Sequence, residues 1–157
     1  AQVPRLESYR DFWFVNFDRN AVSLADYLAG AKEYIDLVAD MPLRDKTLAF
    51  DIGVGTGVLS ALLVKRGVQR VIATDQDPRA LACAKENLER IGVSAKIELL
   101  DADLFPQGLA PLVVCNPPWV PALPSSPIEH AVYDEGSRML RGFLAGLRAH
   151  LTPDGEG

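Results

Sequence analysis

The chain of 157 residues is long enough for one domain with a real core, and its 48% hydrophobic and 24% charged residues exclude disordered and fibrous classes. The formal charge is −5 and no run of Lys or Arg could follow a phosphate backbone, which leans away from a nucleic-acid partner. No apolar run reaches the roughly 18 residues of a membrane helix and no basic-then-apolar leader opens the chain, so a soluble, cytoplasmic protein is expected.

Residues 1–45 read as an N-terminal aromatic segment and helix packing on a core formed by 46–157. Tyr9, Phe12, Trp13, Phe14 and Phe17 crowd nine positions and are expected to dock on an apolar surface. From Val22 to about Asp40, Leu24, Tyr27, Leu28, Ala31, Ile35 and Val38 recur at helical spacing, with Asn20 or Ser23 as the cap and Pro42 as the stop.

Lys46 to Ile52 is a short apolar strand, followed at once by a turn rich in glycine, Asp51-Ile52-Gly53-Val54-Gly55-Thr56-Gly57. Leu59, Leu62 and Leu63 mark the buried face of a helix ending at Gly67, and Arg70 to Asp75 forms a second strand. The next helix opens on Asp77 as N-cap and Pro78 as first residue, buries Leu81, Ala84, Leu88 and Ile91, and stops at Gly92. Lys96 to Leu100 and Pro111 to Cys115 are the third and fourth strands. A loop with Pro121, Pro124 and Pro127 leads to a last helix, about Glu135 to Leu151, burying Leu140, Phe143, Leu144, Leu147 and Leu151. Cys83 and Cys115 fall in a helix and a buried strand and read as free core thiols in a reducing compartment. The alternation predicts an α/β fold with a parallel sheet and helices on both faces.

In such sheets ligands sit beyond the carboxyl ends of the strands, where this chain places its polar chemistry. Gly53, Gly55 and Gly57 let the backbone turn tightly and approach a ligand that a Cβ would repel. The turn half-matches a dinucleotide cradle, but Val58 stands where that pattern has its last glycine. Asp75 ends the second strand, where a carboxylate accepts ribose hydroxyls in both nicotinamide and adenosyl enzymes. Asp103 suits an adenine amino group, with Asp101 as competitor, and Leu104 can offer its backbone N–H to the ring. Asn116-Pro117-Pro118-Trp119 is rigid, so the Asn116 amide oxygen and the Pro117 carbonyl can face one NH2 group while Trp119 provides a stacking plane. Glu129 and His130, in the loop beyond, could help shed a proton from the acceptor but read first as a solvated loop pair, and His150 reads as a favourable charge at a helix C-terminus.

On these motifs the stretch from Thr47 to Leu151 resembles the Rossmann-like S-adenosylmethionine-dependent methyltransferases with an Asn-Pro-Pro-aromatic motif. Ile72 to Asn87 and Asp103-Leu104-Phe105 look most like release-factor glutamine methyltransferases and the methyltransferase small domain group. The resemblance implies S-adenosylmethionine as cofactor, held by Asp51, Gly53, Gly55, Thr56, Gly57, Asp75, Gln76, Asp103, Leu104 and Asn116. It implies methyl transfer to a planar nitrogen at Asn116, Pro117 and Trp119, without a metal, a protein glutamine being the first choice of acceptor. Alternatives are an adenine or guanine amino group, a cofactor-binding module without catalysis, and, as a weaker rival, a nicotinamide oxidoreductase. The family's sheet is longer than four strands, so truncation before the fifth is expected, with a missing C-terminal part or a partner chain completing it. Ala1 in place of Met, and the closing Gly155-Glu156-Gly157, fit cut ends.

Overall fold

The computed structural model describes residues 5–9, 12–18, 20–30, 32, 43, 45–118, 120, 122–123 and 133–157. The chain divides into two compact units, Ala1–Pro42 and Leu43–Gly157.

In the first unit, strands β1 (Arg5–Tyr9) and β2 (Phe12–Asn16) form an antiparallel hairpin, in register from Arg5↔Asn16 to Tyr9↔Phe12. The aromatic segment is therefore strand. Helix α1 (Leu24–Tyr27) is capped by Ser23, whose hydroxyl accepts the Asp26 N–H at 3.1 Å, so Ser23 rather than Asn20 is the cap. Arg5 donates to the Ala21 carbonyl at 2.6 Å and pairs with Glu7 at 2.7 Å, which ties the hairpin to the segment entering α1. Phe17, expected to dock, is 75% exposed because it lies past the last cross-strand pair. The stretch 33–42 of the expected first helix lies outside the described residues.

The second unit is built on a parallel sheet of β3 (Leu48–Ile52), β4 (Arg70–Asp75), β5 (Ile97–Asp101), β6 (Ala110–Cys115) and β7 (Leu151–Glu156), in the order β5-β4-β3-β6-β7. The connections are α2 (Val58–Lys65), α3 (Pro78–Ile91) and α4 (Arg138–His150). Truncation before a fifth strand is overturned: Leu151–Glu156 pairs with β6, and β6 is an interior strand. Thr152-Pro153-Asp154-Gly155 reads as a turn, and its register slips between Ala110 and Leu112, so no alternating pattern announces the strand. Leu151 accordingly belongs to β7 and not to the last helix.

Period-two alternation sorts the strand side chains to two faces. Ala49, Val71, Ala73 and Leu112 join Ala61, Leu63 and Val64 of α2 and Ala84 and Leu88 of α3 in one cluster. Phe50, Ile52 and Val113 join Phe143 of α4 on the other face, with Met139 and Leu147 beside them. The buried face of α2 is Ser60, Ala61, Leu63 and Val64, whereas Leu62, expected inside, is partly exposed. Ile91 and Leu144, also expected inside, are exposed at the rims of α3 and α4. Asp77 caps α3 by accepting the Arg79 N–H at 2.9 Å, Pro78 opens it, and Gly92 ends it at φ 78°, as the sequence predicts.

Helix α4 carries glycines where bulky neighbours cross it. A Cβ on Gly146 would lie 2.5 Å from Cε2 of Phe105. That ring is stacked on His150 at 4.1 Å and on Phe143 at 5.8 Å between centroids, so it has little room to move. Gly146→Ala is expected to lower the melting temperature: overpacking costs about 1–3 kcal/mol, which outweighs the roughly 1 kcal/mol that alanine adds in helix propensity. Thermal denaturation followed by circular dichroism measures the sign.

Candidate active site

The chain crosses from β5 back to β6 on the far side of β3, so the sheet reverses its winding between β3 and β6. A crevice opens at such a reversal, beyond the carboxyl ends of the strands. Ile52 pairs with Cys115, which makes Gly53 and Asn116 the first residues after two neighbouring strands. The glycine turn and the Asn-Pro-Pro segment, some sixty residues apart in the chain, are brought together by that single register.

Asp51 is fully buried and faces α2, where its Oδ2 accepts the Ser60 hydroxyl at 2.6 Å. Its Oδ1 has no hydrogen-bond partner among the described residues. Burial pushes its carboxyl up to about 6, against the lowering effect of the Ser60 hydroxyl and backbone bonds, and the charge of Asp75 raises it a little further. The Cys115 thiol is pushed up to about 12 by burial and by Asp51, which makes it an inert neighbour rather than a nucleophile.

The three glycines of the turn do different things. Gly53, at φ 79°, gives room to Met139, whose Cε would be 2.3 Å from an added Cβ, and Gly57 gives room to Leu88 at 3.2 Å. Gly55, at φ 51°, faces open space, so of the three it is the one that permits close approach of a ligand. Thr56 is exposed, and its carbonyl accepts the Asn87 side-chain amide at 3.0 Å.

Asp75 accepts the Gly55 N–H at 3.0 Å through Oδ2 and the Asp77 N–H at 3.0 Å through Oδ1. It therefore holds the glycine turn against the end of β4. Each carboxylate oxygen keeps a further lone pair, which ribose hydroxyls can use. Asp101 lies opposite Asp75 in register and is exposed. Asp103 is engaged by the Arg138 guanidinium, with Nη1 3.1 Å from Oδ2 and 3.2 Å from Oδ1, and Arg138 Nη2 also donates to Gln76 Oε1 at 3.2 Å. Arg138 thus joins two expected cofactor residues. Leu104 has φ 69° and its carbonyl accepts the Thr74 hydroxyl at 2.5 Å.

Asn116 is exposed at the end of β6, Pro117 is buried and Pro118 half-buried, which anchors the rigid segment while leaving its asparagine exposed beyond the strand end. Trp119, Glu129 and His130 lie outside the described residues. His150, expected only as a helix-end group, has its Nδ1 2.9 Å from the Gly146 carbonyl and its ring stacked on Phe105. Among the described residues no cluster of His, Cys, Asp and Glu is arranged to hold a metal ion, and no helix is long and apolar enough to cross a membrane.

Ser60, Thr74, Asn87, Arg138 and Met139 escape sequence reasoning. Thr74 alone leaves a trace, as a polar residue inside an apolar strand directly before Asp75. Arg138 meets Asp103 across 35 positions and Gln76 across 62, and no local pattern reports such a meeting.

Five parallel strands in this order, a glycine turn after β3, an acid after β4 and Asn-Pro-Pro after β6 form a Rossmann-like domain, and the family match places it in the S-adenosylmethionine-dependent methyltransferase class. The profile of the family described as ribosomal protein L11 methyltransferase (PrmA) matches residues 35–144, and the chain belongs to that family. The ribosomal protein L11 methyltransferase of Vibrio parahaemolyticus is 40% identical over 83 residues, 52% of this chain and 28% of that protein. The release factor glutamine methyltransferase of Moorella thermoacetica is 37% identical over 128 residues, 74% of this chain and 43% of that protein. The chain thus spans less than half the length of these relatives. The crystal structure of ribosomal protein L11 methylase from Lactobacillus delbrueckii subsp. bulgaricus shares the fold, with a TM-score of 0.57 at 24% identity, over 78% of this chain and 54% of that one.

The residues present fit the cofactor that the family implies. Gly55 leaves an open cradle at positive φ, and Asp51 keeps a buried, unpartnered carboxylate oxygen of the kind that a bound polar or cationic group would satisfy.

Proposed function

We propose that the protein is an S-adenosylmethionine-dependent N-methyltransferase of the cytoplasm that acts on a protein side-chain nitrogen, with the glutamine amide as its acceptor. The observation that carries this reading is the Ile52↔Cys115 register, which sets Asn116 beside Gly53 at the reversal of the sheet. When bound, S-adenosylmethionine supplies an electrophilic methyl group on a sulfonium. Gly55, Asp51, Asp75, Gln76, Asp103 and Leu104 bind and orient it.

The Asn116 amide oxygen and the Pro117 carbonyl would accept hydrogen bonds from the two N–H groups of the acceptor amide and so hold its nitrogen towards the glycine turn. Positive charge developing on that nitrogen would be stabilised by the two fixed acceptors without reorganisation, and the amide would return to neutral by releasing one N–H proton to solvent. Holding both reactants in line is worth roughly 7–11 kcal/mol, which removes the need for a covalent enzyme intermediate. The sequence assigns Trp119 the role of stacking residue for the acceptor amide. Named relatives that act on ribosomal protein L11 and on release factors support a protein rather than a nucleic-acid substrate.

The test is transfer of labelled methyl groups from S-adenosylmethionine into a lysate of cells lacking the enzyme. Label released by protease and resistant to nuclease is expected, with methylglutamine in the hydrolysate. Nuclease-sensitive label would overturn the choice of substrate, and no incorporation would overturn the activity.

A further inference from the structure

We propose that Thr74 is the positioning residue that sets base recognition, locking the Asp103-Leu104 turn to the glycine turn; this rests on the cofactor reading above. Thr74 is fully buried near the end of β4, paired with Ile52 on one side and Leu100 on the other. Its carbonyl accepts the Gly53 N–H at 2.9 Å and the Val54 N–H at 2.8 Å. Its hydroxyl donates to the Leu104 carbonyl at 2.5 Å, and the next residue, Asp75, holds the Gly55 N–H. One residue thus connects the two turns, and its neighbour supplies the ribose acid.

Leu104 needs such a clamp. A leucine at φ 69° is in the left-handed region, which its Cβ disfavours, so the conformation persists only where the surroundings hold it. Thr74 holds the carbonyl. Helix α4 holds the side chain, since Cδ1 of Leu104 lies where a Cβ on Gly142 would be 2.4 Å away. The orientation of the Leu104 carbonyl also orients the peptide planes around it, and with them the N–H and the Asp103 carboxylate proposed to read the adenine edge. Valine at position 74 has the same shape but no donor. The Leu104 carbonyl then loses its partner, and the turn is free to relax.

Calorimetry on the whole chain compares S-adenosylhomocysteine with S-inosylhomocysteine, in which the amino group is replaced by a carbonyl. The wild type is expected to prefer the adenine ligand. Thr74→Val is expected to bind S-adenosylhomocysteine roughly tenfold more weakly, as for the loss of one buried hydrogen bond, and to bring the ratio of the two affinities towards one. Thr74→Ser, which keeps the hydroxyl, is expected to restore both. If Thr74→Val does not fold, Thr74→Ala carries the same expectation. A variant with a lowered melting temperature but the wild-type ratio would reduce Thr74 to a packing residue and overturn this inference alone. A wild type that binds neither ligand would overturn the cofactor reading and this inference with it.

Discussion

Asn116→Ala is expected to lower kcat roughly 10²–10³-fold, the scale set by removing one fixed group aimed at developing charge. The affinity for S-adenosylhomocysteine is expected to stay within about threefold of wild type, because the glycine turn, Asp75 and the Leu104 turn are untouched. The split follows from the fold. Asn116 sits at the end of β6, anchored by buried Pro117, while the proposed cofactor contacts come mainly from the turns after β3, β4 and β5. Asn116→Asp keeps an acceptor oxygen in place and is expected to recover part of the lost rate. Single-turnover methyl transfer, measured beside calorimetry, separates the two quantities. Turnover retained in Asn116→Ala would refute the role assigned to the asparagine.

The second large effect concerns Asp51, where stability and function are expected to move in opposite directions. Its carboxyl lies at about 6 in the folded chain against an ordinary 3.8, because burial outweighs the two hydrogen bonds from Ser60. A folded-state value raised above the unfolded one means that the folded protein binds the proton more tightly. The contribution to stability is full below pH 3.8 and is lost as the pH rises through 6. At pH 8 the ionised, half-satisfied carboxylate therefore costs the fold on the order of 3 kcal/mol. Asp51→Asn keeps an oxygen for the Ser60 hydroxyl and carries no charge. Its melting temperature at pH 8 is expected to exceed that of wild type by about 5–10 °C, the gap closing near pH 4.

The same substitution is expected to weaken S-adenosylhomocysteine binding by roughly tenfold or more, since a charged partner is lost from a buried site. Wild-type affinity should also fall as the pH drops below about 6, the value at which Asp51 takes up its proton. Scanning calorimetry and ligand titration across pH 4–8 test both halves. A lower melting temperature for Asp51→Asn at pH 8 would show the carboxylate to be structural, not a site group held at a cost.

The fold and much of the candidate site are legible in the chain because each depends on local rules. Apolar runs of strand length, helical periodicity around Ala84 and Leu88, and the Asp77-Pro78 and Gly92 helix ends are set by neighbouring residues. Gly53, Gly55 and Gly57 and the Asn116 segment are readable for the same reason: their backbone requirements are local. The hairpin of β1 and β2 and the strand β7 are not legible, because crowded aromatics mask alternation in the first and Pro153 and Gly155 interrupt it in the second.

Local patterns along the chain carry the class of fold, the order of the turns and the residue types offered at each strand end. Which of those residues act together depends on tertiary contacts. The register between β3 and β6 joined Asn116 to the glycine turn, burial stranded one oxygen of Asp51, and α4 brought Arg138 to Asp103 and Met139 to Gly53. The physical reason is that hydrogen-bonding pattern and turn geometry act over a few residues, whereas burial, long-range pairing and the perturbed carboxylate arise only once distant segments share a core.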